Sequence, residues 1–552
     1  MRRSSVRAWL RGRDEAQAII LVALLLTSLM GFIGLVVDVG WYQLNLVRVQ
    51  RAADAAALAG AVYLPGNQTA ANAAAQGAAT QNGYTNNVNN GLGVVQVVPG
   101  TDATNSQMMN VTITAPIRTW FMRLFGIQTL SASRNARAEF ILPVPMGSPT
   151  SYYGVHIMCA DGVATPGGCT NLPSATGSGN LTTQGFWGAV ESHGAQRANG
   201  DAFSTGFDTP EPGGINAGYD PLGYSYIVEF PTGTTNGKVY VFDPIFCPTG
   251  AGTSGGVNGR RLGVGDAYLV APGSAAQRQM TTEFKLWDMN GTPYSTTDDI
   301  SIGGDTGQFT NLDNVDKTTV YKGNQRYDLG NSYNGSSSTD CGASAYHNAW
   351  WQIPTPGYPA GLPAGNYRLQ VTTSNGSTSQ NAVNNFSLQA TGDVAGVRTY
   401  GQSRMCVFNA ISGTSIFYLS QIAAVHAGKT LEIKLFDPGD ISNTSLFVQM
   451  PTNGGYVDAT FSWTATGCTG GCATSGNNVT SLLTSTSGGT NLFNNQWVTI
   501  SVSLPTSYTA PQPPGEPGGG WWKIKYATTG TGQDVTTWSV NIRGNPVHLV
   551  TP

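Results

Sequence analysis

The sequence predicts a membrane-anchored protein. A long N-terminal transmembrane helix and a small α+β unit precede a mostly β remainder of two tandem antiparallel β-sandwich, jelly-roll-like domains. Three observations predict it. Ala18 to Val37 contains no charged residue, and about twenty helical residues at about 1.5 Å each match the roughly 30 Å of bilayer hydrocarbon. Leu142 to Pro149 is punctuated by prolines, and beyond it Gly, Thr, Ser, Asn and aromatic residues replace helix formers. Short strand patterns of that region recur in the same order later in the chain.

Arg2, Arg3, Arg7, Arg11 and Arg13 precede the apolar run. Positive flanks are retained on the inner side, so residues 1–17 are expected as a cytoplasmic tail and the C-terminal bulk outside the cell membrane. A cleaved secretory signal is the competing reading. It has an apolar core of only about 7 to 15 residues and a small-residue cleavage site at its end. Here Asp38, Trp41 and Tyr42 follow the run instead, which favours retention. No proline appears before Pro65, and the stretch to Leu64 is rich in Ala and Leu, so residues 18–64 are expected as one spanning and stem helix. Leu46, Val49, Ala53, Ala56 and Gly60 form a stripe, with Arg48, Arg51 and Asp54 on the other side. A stripe of small residues suits close approach of another helix or packing on the chain's own domain, and the sequence leaves both open.

Residues 11 to 61 resemble the N-terminal segment of TadG-like proteins of the Flp (Tad) pilus assembly system. The matching elements are Val37-Asp38-Val39-Gly40, closing the apolar run, and the stretch from Gln50 through Arg51, Ala52, Ala53 and Asp54 to Ala59. The likeness continues through a helix near Thr69 to Gly83, strands at Val94 to Val98 and Asn110 to Pro116, the segment Thr119 to Ile127, and Leu130 to Phe140. Together these make the α+β unit of 65–142. Gln17 stands where a pilin cut after Gly12 would carry Glu. Of the metal-binding Asp-x-Ser-x-Ser motif of many relatives, Asp299 to Gly303 lacks the last hydroxyl, and Asp440 to Thr444 fits loosely but sits where a turn after a strand is expected. The resemblance implies a structural or assembly part, not an enzyme, that contacts the membrane and pilin-like or other pilus assembly proteins through the stem.

After a linker at 143–151, alternating runs such as Lys238 to Phe242, Thr282 to Trp287 and Tyr367 to Val371 set apolar residues on one face at a period of two. Gly237 to Pro244 parallels Gly428 to Asp440, each ending in Phe-Asp-Pro. Ala349 to Pro354 pairs with Gln496 to Pro505, Ala364 to Val371 with Gly520 to Tyr526, and Asn384 to Gly392 with Thr536 to Gly544. The repeat places two sandwiches at 152–393 and 394–552. The Gly-Lys and Ala-Gly turns before these strands are weakly similar to prepeptidase C-terminal β-sandwiches.

Only 11% of the 552 residues are charged, against about 25% in ordinary soluble proteins. With 28 basic and 31 acidic side chains, no basic surface is available to neutralise many phosphates, which argues against nucleic-acid binding. In an exported region the cysteines read as disulfides: Cys468 with Cys472, Cys159 with Cys169, and Cys247 with Cys341, leaving Cys406 as a buried inert thiol. Asp288, Asn290, Asp298 and Asp299 offer oxygens to a Ca²⁺ ion, but Asn290-Gly291 is a strong β-turn signal and the twelve-residue loop spacing is not met, which favours the turn. No other cofactor is implied. Trp350, Trp351, Trp521 and Trp522 would stack on surface glycans where exposed, since one of each adjacent pair in a strand faces outward. A surface adhesin or carbohydrate-binding protein on the same anchor is therefore the alternative function. An exported hydrolase is the second, resting only on Ser254 in Gly-Thr-Ser-Gly-Gly, which lacks the strand before and helix after that a nucleophile elbow needs. The histidines at 156, 193, 347, 426 and 548 form no metal-binding pair.

Overall fold

Helix α1 runs unbroken from Ser5 to Ala61, as expected where nothing removes a backbone N–H from the ladder. The computed structural model describes residues 5–64, 67–102, 107–153, 186–191, 220, 222–243, 249–250, 267–270, 280–291, 296, 299–303, 349–353, 355–375, 382–409, 413–530, 534–544 and 547–550. They form two compact units, residues 1–142 with 544–552, and residues 143–543.

In the first unit, the apolar part of α1 lies exposed: Leu25, Phe32 and Val36 are 68%, 68% and 70% accessible. The second half is buried on one side. Leu46, Val49, Ala53 and Ala56 are covered by the unit's own sheet and by α2 (Gln68–Gln81). This answers the question the stripe left open, because no room remains on it for a foreign helix. Asn67 caps α2 by accepting the Ala70 N–H at 2.9 Å, and Ala71, Ala75 and Ala79 make its inward face. Gly60 is required where the helices meet, since a Cβ there would fall 2.9 Å from the Ala71 carbonyl oxygen.

Strands β1 (Gln96–Thr101), β2 (Met108–Arg118) and β3 (Thr129–Phe140) form an antiparallel meander. Along β2, Met109, Val111, Ile113, Ala115 and Ile117 point inward in strict alternation. The free edge of β3 is closed by the last strand of the chain, Val547–Val550, with Val547 opposite Phe140. These residues, expected from the sequence in the second sandwich, belong instead to the first unit. Pairing satisfies β3 backbone groups that an open edge would leave exposed.

In the second unit, among the described residues, sheets of thirteen and eleven strands are present. One has the order Ala349–Gln352, Lys238–Asp243, Ala382–Thr391, Phe186–Glu191, then Arg404–Asn409, Asp534–Ile542, Thr430–Phe436 and Trp497–Ser503. Matching the outer three strands of each set to their sequence counterparts makes the second set the first in reverse. The halves meet where Phe186–Glu191 pairs antiparallel with Arg404–Asn409, the self-complementary contact a two-fold relation produces. The other sheet is likewise continuous, through Tyr224–Phe230 paired with Arg398–Gln402. The segments 152–393 and 394–543 therefore share both sheets. The sheets face one another through edge-on aromatic pairs: Phe284 against Phe386 at 5.3 Å in one half and Phe417 against Trp538 at 5.5 Å in the other.

Candidate functional site

The most organised polar feature of the first unit lies one residue beyond the apolar run. Asp38 is 2% exposed. Its Oδ1 accepts the Trp120 N–H at 2.6 Å, and its Oδ2 accepts those of Phe121 and Met122 at 2.9 and 2.6 Å. These donors open the short 3₁₀ helix Met122–Phe125 in the β2–β3 loop, whose first N–H groups have no partner within the helix. A carboxylate of α1 thus caps a loop more than eighty residues away in sequence. Gly126, at φ +87°, ends the 3₁₀ turn, and the loop closes through the Thr119 hydroxyl donating to the Ile127 carbonyl at 2.5 Å.

Aromatic residues lie next to this clamp. Trp41 meets Trp120 edge-on at 6.3 Å, Arg48 lies over the Trp41 ring at 5.7 Å, and the Tyr42 hydroxyl donates to the Ser131 carbonyl. Beside them is a cavity of about 480 Å³ whose lining includes Trp41, Arg48, Arg51, Tyr84 and Arg118. Its lining residues include these arginines and no carboxylate, a composition suited to an anionic group. Burial raises the Tyr84 phenol above its ordinary value, with the Arg48 charge working the other way. In the sequence, Asp38 reads as the end of the apolar run and as part of the Val37-Asp38-Val39-Gly40 element. The signal available was a carboxylate at a hydrocarbon boundary, and nothing local named its partners.

The residues singled out from sequence fall elsewhere. Trp521 and Trp522 are 1% and 0% exposed, so neither offers a face to a sugar. Trp522 lies on the inner face, its Nε1–H donating to the Tyr508 hydroxyl at 3.0 Å, which donates on to the Ile422 carbonyl at 3.1 Å. Trp521 is on the opposite face, as alternation requires, but the segment 505–520 folds over it. Tyr418 meets its ring edge-on at 5.7 Å and Gln421 donates to the Gly519 carbonyl. Glu516 holds that segment down by accepting from Tyr418 at 2.5 Å and Lys523 at 2.6 Å. Trp350 and Trp351 lie in a strand paired with Tyr240 to Asp243, and their side chains are outside the described residues.

Of the proposed Ca²⁺ ligands, Asp288 and Asp299 have partners within the chain. Asp288 accepts the Asn290 N–H at 2.9 Å, and Asn290 and Gly291, at φ +46° and +73°, make the turn that Asn-Gly signals. Asp299 is buried and engaged by Arg368, whose Nε and Nη2 donate at 2.9 and 2.5 Å while its guanidinium stacks 5.3 Å from the Trp287 ring centre. Asp298 lies outside the described residues. No group of three His, Cys, Asp or Glu side chains able to hold a metal occurs among the described residues. Cys468 and Cys472 form a disulfide, with Cα atoms 5.7 Å apart, and Cys406 is buried. Cys159, Cys169, Cys247, Cys341 and Ser254, like His156, His193 and His347, lie outside the described residues. His426 is buried, and His548 sits on the last strand 3.5 Å from Glu139.

A helix whose exposed apolar stretch, of mean hydropathy 2.7, is long enough to cross a bilayer, joined to β-rich units, defines the class: a protein with a helix suited to anchor it in a membrane and a large β portion. The particular likeness is to Flp pilus assembly. The family model described as putative Flp pilus-assembly TadE/G-like matches residues 16–62, which contain the apolar run, Asp38 and the buried stripe. No curated protein and no solved structure matches the chain.

Proposed function

We propose that the chain is a single-span structural or assembly component of Flp-type pilus machinery, with its basic N-terminus in the cytoplasm and both β-rich units outside the membrane. The observation that carries this reading is the coincidence of the TadE/G-like match at 16–62 with a helix exposed through its apolar run and packed beyond it. The arginines before the run and the disulfide in the second unit, a bond favoured by an oxidising compartment, support the orientation. The duplicated strand order supports a sandwich pair that arose by doubling and serves as one rigid displayed body. Partner contacts of the helix then belong to its exposed side, because the small-residue stripe is already covered. Deleting the gene is expected to abolish pilus assembly, with restoration by the full chain. Unchanged piliation and surface attachment would refute the role. Protease shaving of intact cells is expected to remove the β-rich bulk and spare the N-terminal tail.

A further inference from the structure

Resting on the membrane-anchor reading above, we propose that the β2–β3 loop is a second membrane contact, an interfacial wedge whose Leu124 and Phe125 enter the lipid leaflet next to the folded unit. These side chains are 77% and 82% exposed, the most exposed large hydrophobic residues among those described. Trp120, Phe121 and Ile127 add 47%, 42% and 42%. Apolar surface concentrated in this way at a loop tip marks an interaction surface.

Position decides the occupant. The Phe121 ring lies on Gly34, where a Cβ would fall 2.6 Å from the ring, and Gly34 is one helical turn inside the uncharged run. Asp38, the first charged residue beyond that run, holds the backbone of Trp120, Phe121 and Met122. The loop is therefore fixed at the level where α1 passes from hydrocarbon to headgroups, and its apolar surface continues that of the span. The surrounding chemistry is that of such a boundary. Trp41 and Trp120 pack together at it, as aromatic residues do in membrane interfaces. Arg118 and Arg123 are exposed, and no acidic residue occurs between Asp102 and Glu139, so the local charge suits lipid phosphates.

The test places p-benzoylphenylalanine at Phe125, Ile33 or Val98, one position at a time, in the full chain reconstituted into nanodiscs of phosphatidylethanolamine and phosphatidylglycerol. Irradiation is followed by mass analysis of lipid adducts. Phe125 and Ile33 are exposed, so the probes leave the fold intact, and Val98, 60% exposed on β1, is the control facing water. Lipid adducts at position 125 are expected at the level of position 33 and several-fold above position 98. Adducts at 33 with position 125 no higher than 98 would overturn the wedge while leaving the anchor in place. Absence of adducts at 33 would overturn the anchor and the wedge together. In native membranes, adducts of position 125 with protein instead of lipid would assign the loop to a protein partner and overturn the proposal.

Discussion

Replacing Asp38 by Ala removes the acceptor for the Trp120, Phe121 and Met122 N–H groups at once. A hydrogen bond to a charged group contributes about 1.5–3 kcal/mol, and a buried donor left alone costs about 1–3 kcal/mol. Water can reach part of the exposed loop, so the three bonds together are expected to contribute about 3–5 kcal/mol rather than their full sum. Asp38→Asn keeps one acceptor oxygen without its charge and is expected to lose about half of that. The effect is local, because β2 and β3 remain paired through their own ladder. Hydrogen exchange of the peptide covering 119–127, followed by mass spectrometry on the full chain in nanodiscs, reads it directly. At about 1.4 kcal/mol per decade, exchange should accelerate by about 10² to 4 × 10³ in Asp38→Ala and by about 10- to 60-fold in Asp38→Asn, while peptides of the second unit stay unchanged. Equal exchange in wild type and Asp38→Ala would refute the capping role.

Gly34→Ala should displace Phe121, whose ring occupies the space of the new methyl, and raise exchange in the same peptide. Gly31→Ala, whose Cβ meets nothing, should leave it unchanged. Tyr508→Phe strands the buried Trp522 N–H and Ile422 carbonyl and should cost the second unit about 1–3 kcal/mol in denaturant unfolding. Burial, with the Asp440 and Asp437 charges beside it, pushes the Asp534 carboxyl well above its ordinary 3.8. The folded chain then holds a proton that the unfolded chain has released, so stability falls as pH rises from about 3.8 toward the folded value, by about 1.4 kcal/mol per unit of elevation. Asp534→Asn should therefore melt above wild type at pH 7, with the gap closing on acidification. Identical melting profiles across that range would refute this.

The features legible in the sequence share one property: their cause is local. An uncharged run long enough to span lipid, period-two alternation along β2, the Asn290-Gly291 turn and the Cys468–Cys472 bridge each depend on residues a few positions apart. What only the tertiary structure decided depends on residues distant in the chain. Alternation correctly sent Trp521 and Trp522 to opposite faces, but it took the segment 505–520 to cover the outer one. The stripe on α1 marked a packing face without naming the sheet and helix that fill it. The last strand crosses from the end of the sequence to close β3, and Asp38 meets three amides of a loop that lies beyond α2 and β1. A side chain's local pattern fixes which way it points, whereas what it meets there is fixed by chain closure over long separations, where many partners are sterically possible and packing selects among them.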